Sequence, residues 1–367
     1  MNFCDLALSC ITELQPYVPG KPIEELQREL GITDIVKLAS NENPLGPSET
    51  VLSAISNASQ DITRYPDGNG FILKSALAEK YHLNTDQITL GNGSNDVLEL
   101  IARAFVSPDD EVIYSQYAFA VYPLVTQAIG AKAIIAPARD YGHDLQAMSI
   151  LISSNTKLIF IANPNNPTGS SLAGDELEAF ISQVPEDTLV VLDEAYVEYG
   201  DEQVNTISWL AKYSNLIITR TFSKAYGLAG LRVGYALSHP DVADLLNRIR
   251  QPFNVNSLAL VAATTALNDD AYIAQTKQIN EAGMAQLTAG FEALGLCYIP
   301  SKGNFITVDV QRNGNDVFQA LLEQGVIVRP VGNYGLPQHL RVSIGLQKEN
   351  QRFLDALVNT LGQGNFK

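Results

Sequence analysis

Leu216-Ile217-Ile218-Thr219-Arg220-Thr221-Phe222-Ser223-Lys224-Ala225-Tyr226-Gly227-Leu228-Ala229-Gly230-Leu231-Arg232 is the stretch on which the reading of this chain turns. Its apolar start predicts a buried strand from Leu216 to Thr221. A lysine set just past such a strand is partly desolvated, which lowers its pKa and favours a nucleophilic amine. The small residues after it, Ala225, Gly227, Ala229 and Gly230, let a bulky ligand approach the backbone. Taken alone, a lysine in this position is more often a solvated surface group.

Around this stretch, from Ile88 to about Ala236, short apolar runs alternate with segments of helical period. That alternation predicts an α/β fold with a mostly parallel, seven-stranded sheet covered by helices. The expected strands are Gln87 to Leu90, Glu111 to Ser115, Ala131 to Ala136, Lys157 to Ala162, Leu189 to Asp193, Leu216 to Thr221 and Arg232 to Leu237. Helices are expected over Asp96 to Phe105, Phe119 to Ile129 and Gly174 to Val184. In such sheets ligands collect outside the carboxyl ends of the strands. The conspicuous polar residues fall there: Gly91 to Asp96, Tyr117, Asn163 to Gly169, Asp193 to Tyr196, and Ser223 with Lys224.

After Pro240 helical periodicity takes over, from Val242 to Arg250 and then from Leu258 to Leu294. A smaller α+β unit follows, with strands at Phe305 to Val310, Val326 to Pro330 and Leu340 to Ile344, closed by a helix from Glu349 to Leu361. Met1 to Leu14 reads as an amphipathic helical arm. Its only charges, Asp5 and Glu13, have the wrong sign for a secretory leader. The expected division is an arm contributing to the small unit over 1–35, a large ligand-binding unit over 36–245 and a small C-terminal unit over 246–367.

Bulk composition narrows the classes of function. The 367 residues are 46% hydrophobic and 17% charged, with no apolar run long enough to span a bilayer, so no membrane role is expected. A formal charge of −16 disfavours nucleic acid, whose phosphates need a basic footprint. Three cysteines without a CxxC pair suit a reducing cytoplasm. Four histidines far apart in sequence give no expected metal site.

Several motifs share the predicted ligand edge. Gly91-Asn92-Gly93-Ser94-Asn95 lies between a strand and a helix, where backbone N–H groups and a helix N-terminus hold phosphate, although most such turns are only turns. Asp96 stands where a dinucleotide-binding turn needs its third glycine, which argues against a nicotinamide-linked dehydrogenase. Asn163-Pro164-Asn165-Asn166-Pro167-Thr168-Gly169 is a stiff loop that aims amide side chains at the edge. Asp193 ends an apolar strand and reads either as a helix cap or as the acceptor for a protonated heterocyclic nitrogen, with Tyr196 offering a hydroxyl nearby. Tyr117 reads either as core or as a ring stacked on a ligand. An amine nucleophile, an acid for a pyridinium, an amide and a phenol for a phenolate oxygen, and phosphate donors at Ser94, Ser223 and Arg232 together make a pocket for pyridoxal 5'-phosphate.

These segments, with Tyr17-Val18-Pro19-Gly20-Lys21-Pro22, Asn41-Glu42-Asn43-Pro44-Leu45-Gly46-Pro47, Arg64-Tyr65-Pro66-Asp67-Gly68 and Leu340-Arg341-Val342-Ser343-Ile344-Gly345, carry a resemblance that runs nearly end to end. The chain resembles the fold-type I aminotransferases, and most closely their histidinol-phosphate branch. The resemblance implies that Lys224 forms the Schiff base with the cofactor, that Asp193 pairs the pyridine nitrogen, and that Asn166 and Tyr196 contact the phenolic oxygen. It implies Gly93, Ser94, Asn95, Ser223 and Arg232 for the cofactor phosphate, Tyr117 for the ring face, and Tyr65 for the phosphate held by the other subunit of a homodimer. Tyr17, Arg329 and Arg341 are implied for the anionic group of substrate and of glutamate. GNGSND stands where the branch usually has GNGSDE; backbone N–H groups do most of the phosphate binding there, so Asn95 is expected to be tolerated.

The implied activity is amino transfer between L-histidinol phosphate and 2-oxoglutarate in the cytoplasm. Aromatic amino-acid transamination and a phosphothreonine-type decarboxylation are the alternatives on the same scaffold, because arginines at 329 and 341 suit a carboxylate as well as a phosphate. A ligand-sensing regulator would need an attached basic DNA-binding domain, for which neither length nor charge leaves room.

Overall fold

A computed structural model describes residues 3–17, 19–200 and 204–362. Its centre is a sheet of seven strands: β1 (Ile88–Gly91), β2 (Glu111–Ser115), β3 (Lys132–Ala136), β4 (Thr156–Ala162), β5 (Leu189–Asp193), β6 (Leu216–Thr221) and β7 (Gly234–Leu237). They lie in the order β1-β7-β6-β5-β4-β2-β3. Only β7 runs antiparallel to its neighbours. Helices cover both faces, and this is why the central strands read as unbroken apolar runs. Alternate residues serve two cores: Ile159, Ile161, Val190, Leu192 and Ile218 face one, Leu158, Phe160, Val191 and Ile217 the other.

The strands β2, β5 and β6 begin and end where the sequence predicts. The last one does not begin at Arg232, which lies in the left-handed region at φ 58° and is followed by Val233 before β7 opens. At Gly234 a side chain has no room, since a Cβ would stand 2.4 Å from the Ser94 backbone nitrogen. Glycine there lets β7 pass against the first turn of the helix Ser94–Phe105.

The helical stretch expected from Leu258 to Leu294 is two helices, Ser257–Leu267 and Asp270–Ala293. Asp269 separates them, its Oδ1 accepting the Tyr272 N–H at 3.1 Å as an N-cap. The first packs Ala259, Ala262, Ala263 and Ala266 into the large sheet's core, while the second sends Leu287 and Phe291 into another. Periodicity finds helices but not the core each one faces. The large sheet's packing therefore extends well past residue 245. Two helices not foreseen, Glu49–Ala58 and Phe71–Tyr81, pack on Ser257–Leu267.

The second sheet is antiparallel: β8 (Tyr298–Ile299), β9 (Phe305–Asp309), β10 (Arg329–Pro330) and β11 (His339–Ser343), in the order β8-β9-β11-β10. The single strand expected over Val326 to Pro330 divides. Val326–Ile327 pairs in parallel with Val36–Lys37, and Arg329–Pro330 joins β11. Leu38 then enters the core around Leu287 and Phe353, so the chain reaches the large sheet only after this crossing. The N-terminal arm is a 3-10 turn, Phe3–Asp5, and a short helix, Ser9–Thr12, rather than one continuous helix. Met1, Asn2, Val18 and the last residues of the C-terminal unit, 363–367, lie outside the described residues.

Candidate active site

The carboxyl ends of β4, β5 and β6 open onto a cleft of about 870 Å³, counting the space it shares with solvent, and Arg329 and Arg341 of the second sheet line it as well. Lys224 stands just beyond β6. Its Nζ donates to the Ser40 carbonyl at 2.9 Å and lies 5.8 Å from the centre of the Tyr196 ring. Burial first, and then the positive charge of Arg341, bring its pKa down to about 7. A large share of these amines is therefore neutral near neutral pH, as a nucleophile or base requires. This is the desolvated lysine, not the solvated one.

Asp193 closes β5 and is 3% exposed. Its Oδ2 accepts from Tyr122 Oη at 2.8 Å and its Oδ1 from Thr219 Oγ1 at 3.0 Å. Burial pushes its pKa up to about 6 against the pull of these donors. Among the described residues no cation pairs with it, so an ionised Asp193 is held by neutral donors alone and has the electrostatics of a site awaiting a positive partner. It is not a helix cap: the 3-10 turn that follows, Val197–Tyr199, starts without a side-chain cap. The sequence alone does not single out Tyr122 and Thr219. A tyrosine inside an apolar helix and a threonine inside an apolar strand both read as core.

The Tyr196 hydroxyl accepts from Asn166 Nδ2 and from Asn41 Nδ2, each at 3.0 Å. Burial raises its pKa to about 12. Asn166 also accepts from Arg341 Nη1 at 2.6 Å, so one amide links the phenol to the guanidinium. Of the three asparagines in the loop 163–169, only Asn166 faces the cleft. Asn163 Oδ1 accepts the Leu172 N–H at 2.8 Å, and Asn165 Nδ2 donates to Thr168 Oγ1 at 2.8 Å and to the Tyr117 carbonyl at 2.9 Å, so both hold the loop in place rather than face the cleft. Asn41 opens the motif that ends at Pro47, and its left-handed backbone, φ 55°, presents its side chain to Tyr196.

At the other end of the cleft, Gly93 at φ 86° precedes the helix Ser94–Phe105. The Arg232 guanidinium lies over this turn, donating from Nη1 to Ser223 Oγ at 3.3 Å, and a Cβ on Gly93 would stand 2.4 Å from its Nη2. Ser94, Asn95, Ser223 and Arg232 all line the cleft here. A helix N-terminus, two hydroxyls and a guanidinium converging on one spot form an anion cradle.

Arg329 and Arg341 face each other in register on neighbouring strands β10 and β11, which puts both side chains on one face. Arg341 Nη2 donates to the Ala39 carbonyl at 2.8 Å, while its buried Nε has no hydrogen-bond partner among the described residues. Arg329 lies with its guanidinium carbon 5.5 Å from the centre of the Tyr17 ring. Like charges directly opposite are unfavourable unless an anion joins them.

Two implied residues stand elsewhere. Tyr117 does not line the cleft; its ring centre is 5.8 Å from that of Tyr141, and Phe119, two positions on, faces in instead. The turn at Gln116 and Tyr117, directly after β2, sets which aromatic points inward, and the motif alone does not reveal it. Tyr65 is 82% exposed and stacks on Phe253 at 4.8 Å, outside this chain's own cleft.

The family model described as aminotransferase class I and II matches residues 33–357. The chain belongs to the class I and II aminotransferases. Relatives of this aminotransferase include histidinol-phosphate aminotransferase 2 of Pseudomonas fluorescens, 59% identical over 367 residues and covering 99% of each chain. Histidinol-phosphate aminotransferase 1 of Nitrosococcus oceani is 57% identical over 361 residues, 98% of each chain. Among solved structures, the histidinol-phosphate aminotransferase of Sinorhizobium meliloti in complex with pyridoxal-5'-phosphate matches with a TM-score of 0.91 at 30% identity, over 97% of each chain.

Proposed function

We infer that this aminotransferase uses pyridoxal 5'-phosphate to move an amino group between L-histidinol phosphate and 2-oxoglutarate, giving imidazole-acetol phosphate and L-glutamate in histidine biosynthesis. The observation that carries the substrate is the register pair Arg329 and Arg341, two guanidiniums on one face of the cleft that also holds Lys224. Such a pair suits a phosphate, which takes bidentate arginine bonds, and it serves the carboxylate of glutamate in turn.

The residues fit the cofactor. Asp193 is a buried acid among neutral donors, suited to a protonated pyridine nitrogen. Tyr196 and Asn166 offer donors for a phenolic oxygen, and the cradle of Gly93, Ser94, Asn95, Ser223 and Arg232 suits a phosphate. Phe119 lies where an aromatic face can cover a ring. When bound, pyridoxal phosphate supplies an electron sink for the carbanion formed at the amino-bearing carbon.

The chain's own residues then have distinct tasks. Lys224, partly neutral near pH 7, would anchor the cofactor, and its Nζ is the base placed to take the proton from the substrate's amino-bearing carbon. Asp193 would keep a proton on the pyridine nitrogen, with Tyr122 and Thr219 fixing the carboxylate. Arg341 and Arg329 hold the substrate's anionic end, and Tyr17 lies beside Arg329. Because a single anion site serves both half-reactions, amine donor and oxo acid must bind in succession.

The same reading makes the enzyme a cytoplasmic homodimer. Supporting the dimer is an exposed apolar set around Tyr65, including Ile62, Phe71 and Ile72, which needs a cover. A second copy would place its Tyr65 at this chain's cofactor phosphate. No helix among the described residues is long and apolar enough to cross a membrane.

Arg341→Ala tests the anion site. Charge-assisted hydrogen bonds are worth about 1.5 to 3 kcal/mol, so kcat/KM for histidinol phosphate is expected to fall on the order of tenfold to a hundredfold. The variant should still bind the cofactor, since the anion cradle around Gly93 and Arg232 is untouched. An unaltered kcat/KM would remove Arg341 from the substrate site.

A further inference from the structure

The bend between the helices Pro240–Ile249 and Ser257–Leu267 holds a polar cluster that the chemistry above does not use. Arg250 engages three of its nitrogens there. Nε donates to Asn247 Oδ1 at 2.8 Å, Nη1 to Asn254 Oδ1 at 3.0 Å, and Nη2 to the Gly68 carbonyl at 2.6 Å. Asn254 carries the contact onward, its Nδ2 donating to the Leu90 carbonyl at 3.1 Å and to Asp96 Oδ2 at 3.0 Å. That same Asp96 oxygen accepts the backbone N–H of Asn92 at 2.8 Å. An unbroken path therefore runs from the loop Asp67–Gly70 to the turn that presents Gly93 and Ser94.

Both ends of the path are tightly built. Asp67 accepts the N–H groups of Asn69 and Phe71 at 2.9 and 2.7 Å, and Gly70, at φ +62°, presses so closely on Leu90 that a Cβ would stand 2.4 Å from Leu90 Cδ1. Phe253, between Arg250 and Asn254, is held at φ 56°, a conformation a bulky residue adopts only where its surroundings impose it. This brings its ring against Tyr65 and Gly68. Asp96 also poses an electrostatic problem, since it places a carboxylate in the first turn of the helix whose N-terminus faces an anion. Arg250 sets a compensating charge one residue away through Asn254, and it turns that carboxylate into a brace for the turn.

We propose that Arg250 is a positioning residue for the cofactor phosphate: through Asn254 and Asp96 it locks the turn Gly91–Asn95 to the loop that carries Tyr65. The proposal rests on the reading of that turn as the phosphate cradle. A cradle built from backbone N–H groups binds well only when those groups are already aimed, so loosening the brace should weaken the phosphate's grip and nothing else.

The test is the equilibrium affinity of cofactor-free protein for pyridoxal phosphate and for pyridoxal, which lacks the phosphate. Loss of one charge-assisted brace is expected to make Arg250→Ala bind pyridoxal phosphate about tenfold more weakly, with pyridoxal affinity unchanged. Arg250→Lys should fall between the two, because an ammonium cannot span both Gly68 and Asn254. Asn254→Ala cuts the same path and carries the test if the arginine variant does not fold. It should show the same selective loss, and the double variant should be no worse than either single one. Equal losses for both ligands, no loss for pyridoxal phosphate, or additive losses would overturn the proposal. If the unmutated protein itself fails to prefer pyridoxal phosphate over pyridoxal, the cradle reading falls and takes the proposal with it.

Discussion

Replacing Lys224 by alanine is expected to lower transamination by at least about 10⁴-fold, the upper range for removing one positioned acid–base group, because the same amine also anchors the cofactor. Ser40 fixes that amine by its carbonyl at 2.9 Å, and burial keeps its pKa near 7, so no neighbouring lysine is equipped to replace it. Lys74, also buried and brought down to about 8, donates to Asn69 outside the cleft. The variant should still bind pyridoxal phosphate through the cradle, but borohydride should fix none of it to the protein. A peptide map of reduced wild-type enzyme that found the cofactor on another lysine would contradict this assignment.

Asp193→Asn should retain the cofactor and lose most of the rate. Removing the charge from a buried pair costs about 3–5 kcal/mol, which converts to a loss on the order of a hundredfold to several thousandfold if the interaction is made in the transition state. Asparagine keeps one acceptor oxygen, and its amide nitrogen can donate to the other hydroxyl, which turns from donor to acceptor, so the fold around β5 should persist and thermal unfolding should shift little. Single-turnover absorbance changes with glutamate would read the loss directly. Near-normal rates would mean that Asp193 only closes the end of its strand.

Much of this site is legible in the sequence because it hangs on strand ends. The strands β5 and β6 are buried on both faces, so they read as continuous apolar runs with sharp limits, and Asp193 and Lys224 mark where those runs stop. Ser94 and Asn166 follow β1 and β4 in the same way. The supporting residues are less visible, for physical reasons. Tyr122 reaches Asp193 by the phase of a helix, Thr219 by the alternation of a strand, and Asn41 by a left-handed backbone that no motif announces. Phe119 rather than Tyr117 faces the cleft because of where the chain turns after β2. The register that sets Arg329 against Arg341 depends on splitting the run from Val326 to Pro330 between two sheets, and the apolar run Val326-Ile327-Val328 gives no sign of where that split falls.

The central claim is that the arginine pair selects a phosphorylated amine. Steady-state kcat/KM values for L-histidinol phosphate, L-histidinol, phenylalanine and tyrosine, each with 2-oxoglutarate, test it most directly. Histidinol phosphate should exceed histidinol by on the order of a hundredfold, since the unphosphorylated amine forfeits charge-assisted bonds worth about 1.5 to 3 kcal/mol each. It should also exceed both aromatic amino acids. If phenylalanine or tyrosine proved the better donor, the claim would fail, and the arginine pair would be a carboxylate site in an aromatic aminotransferase.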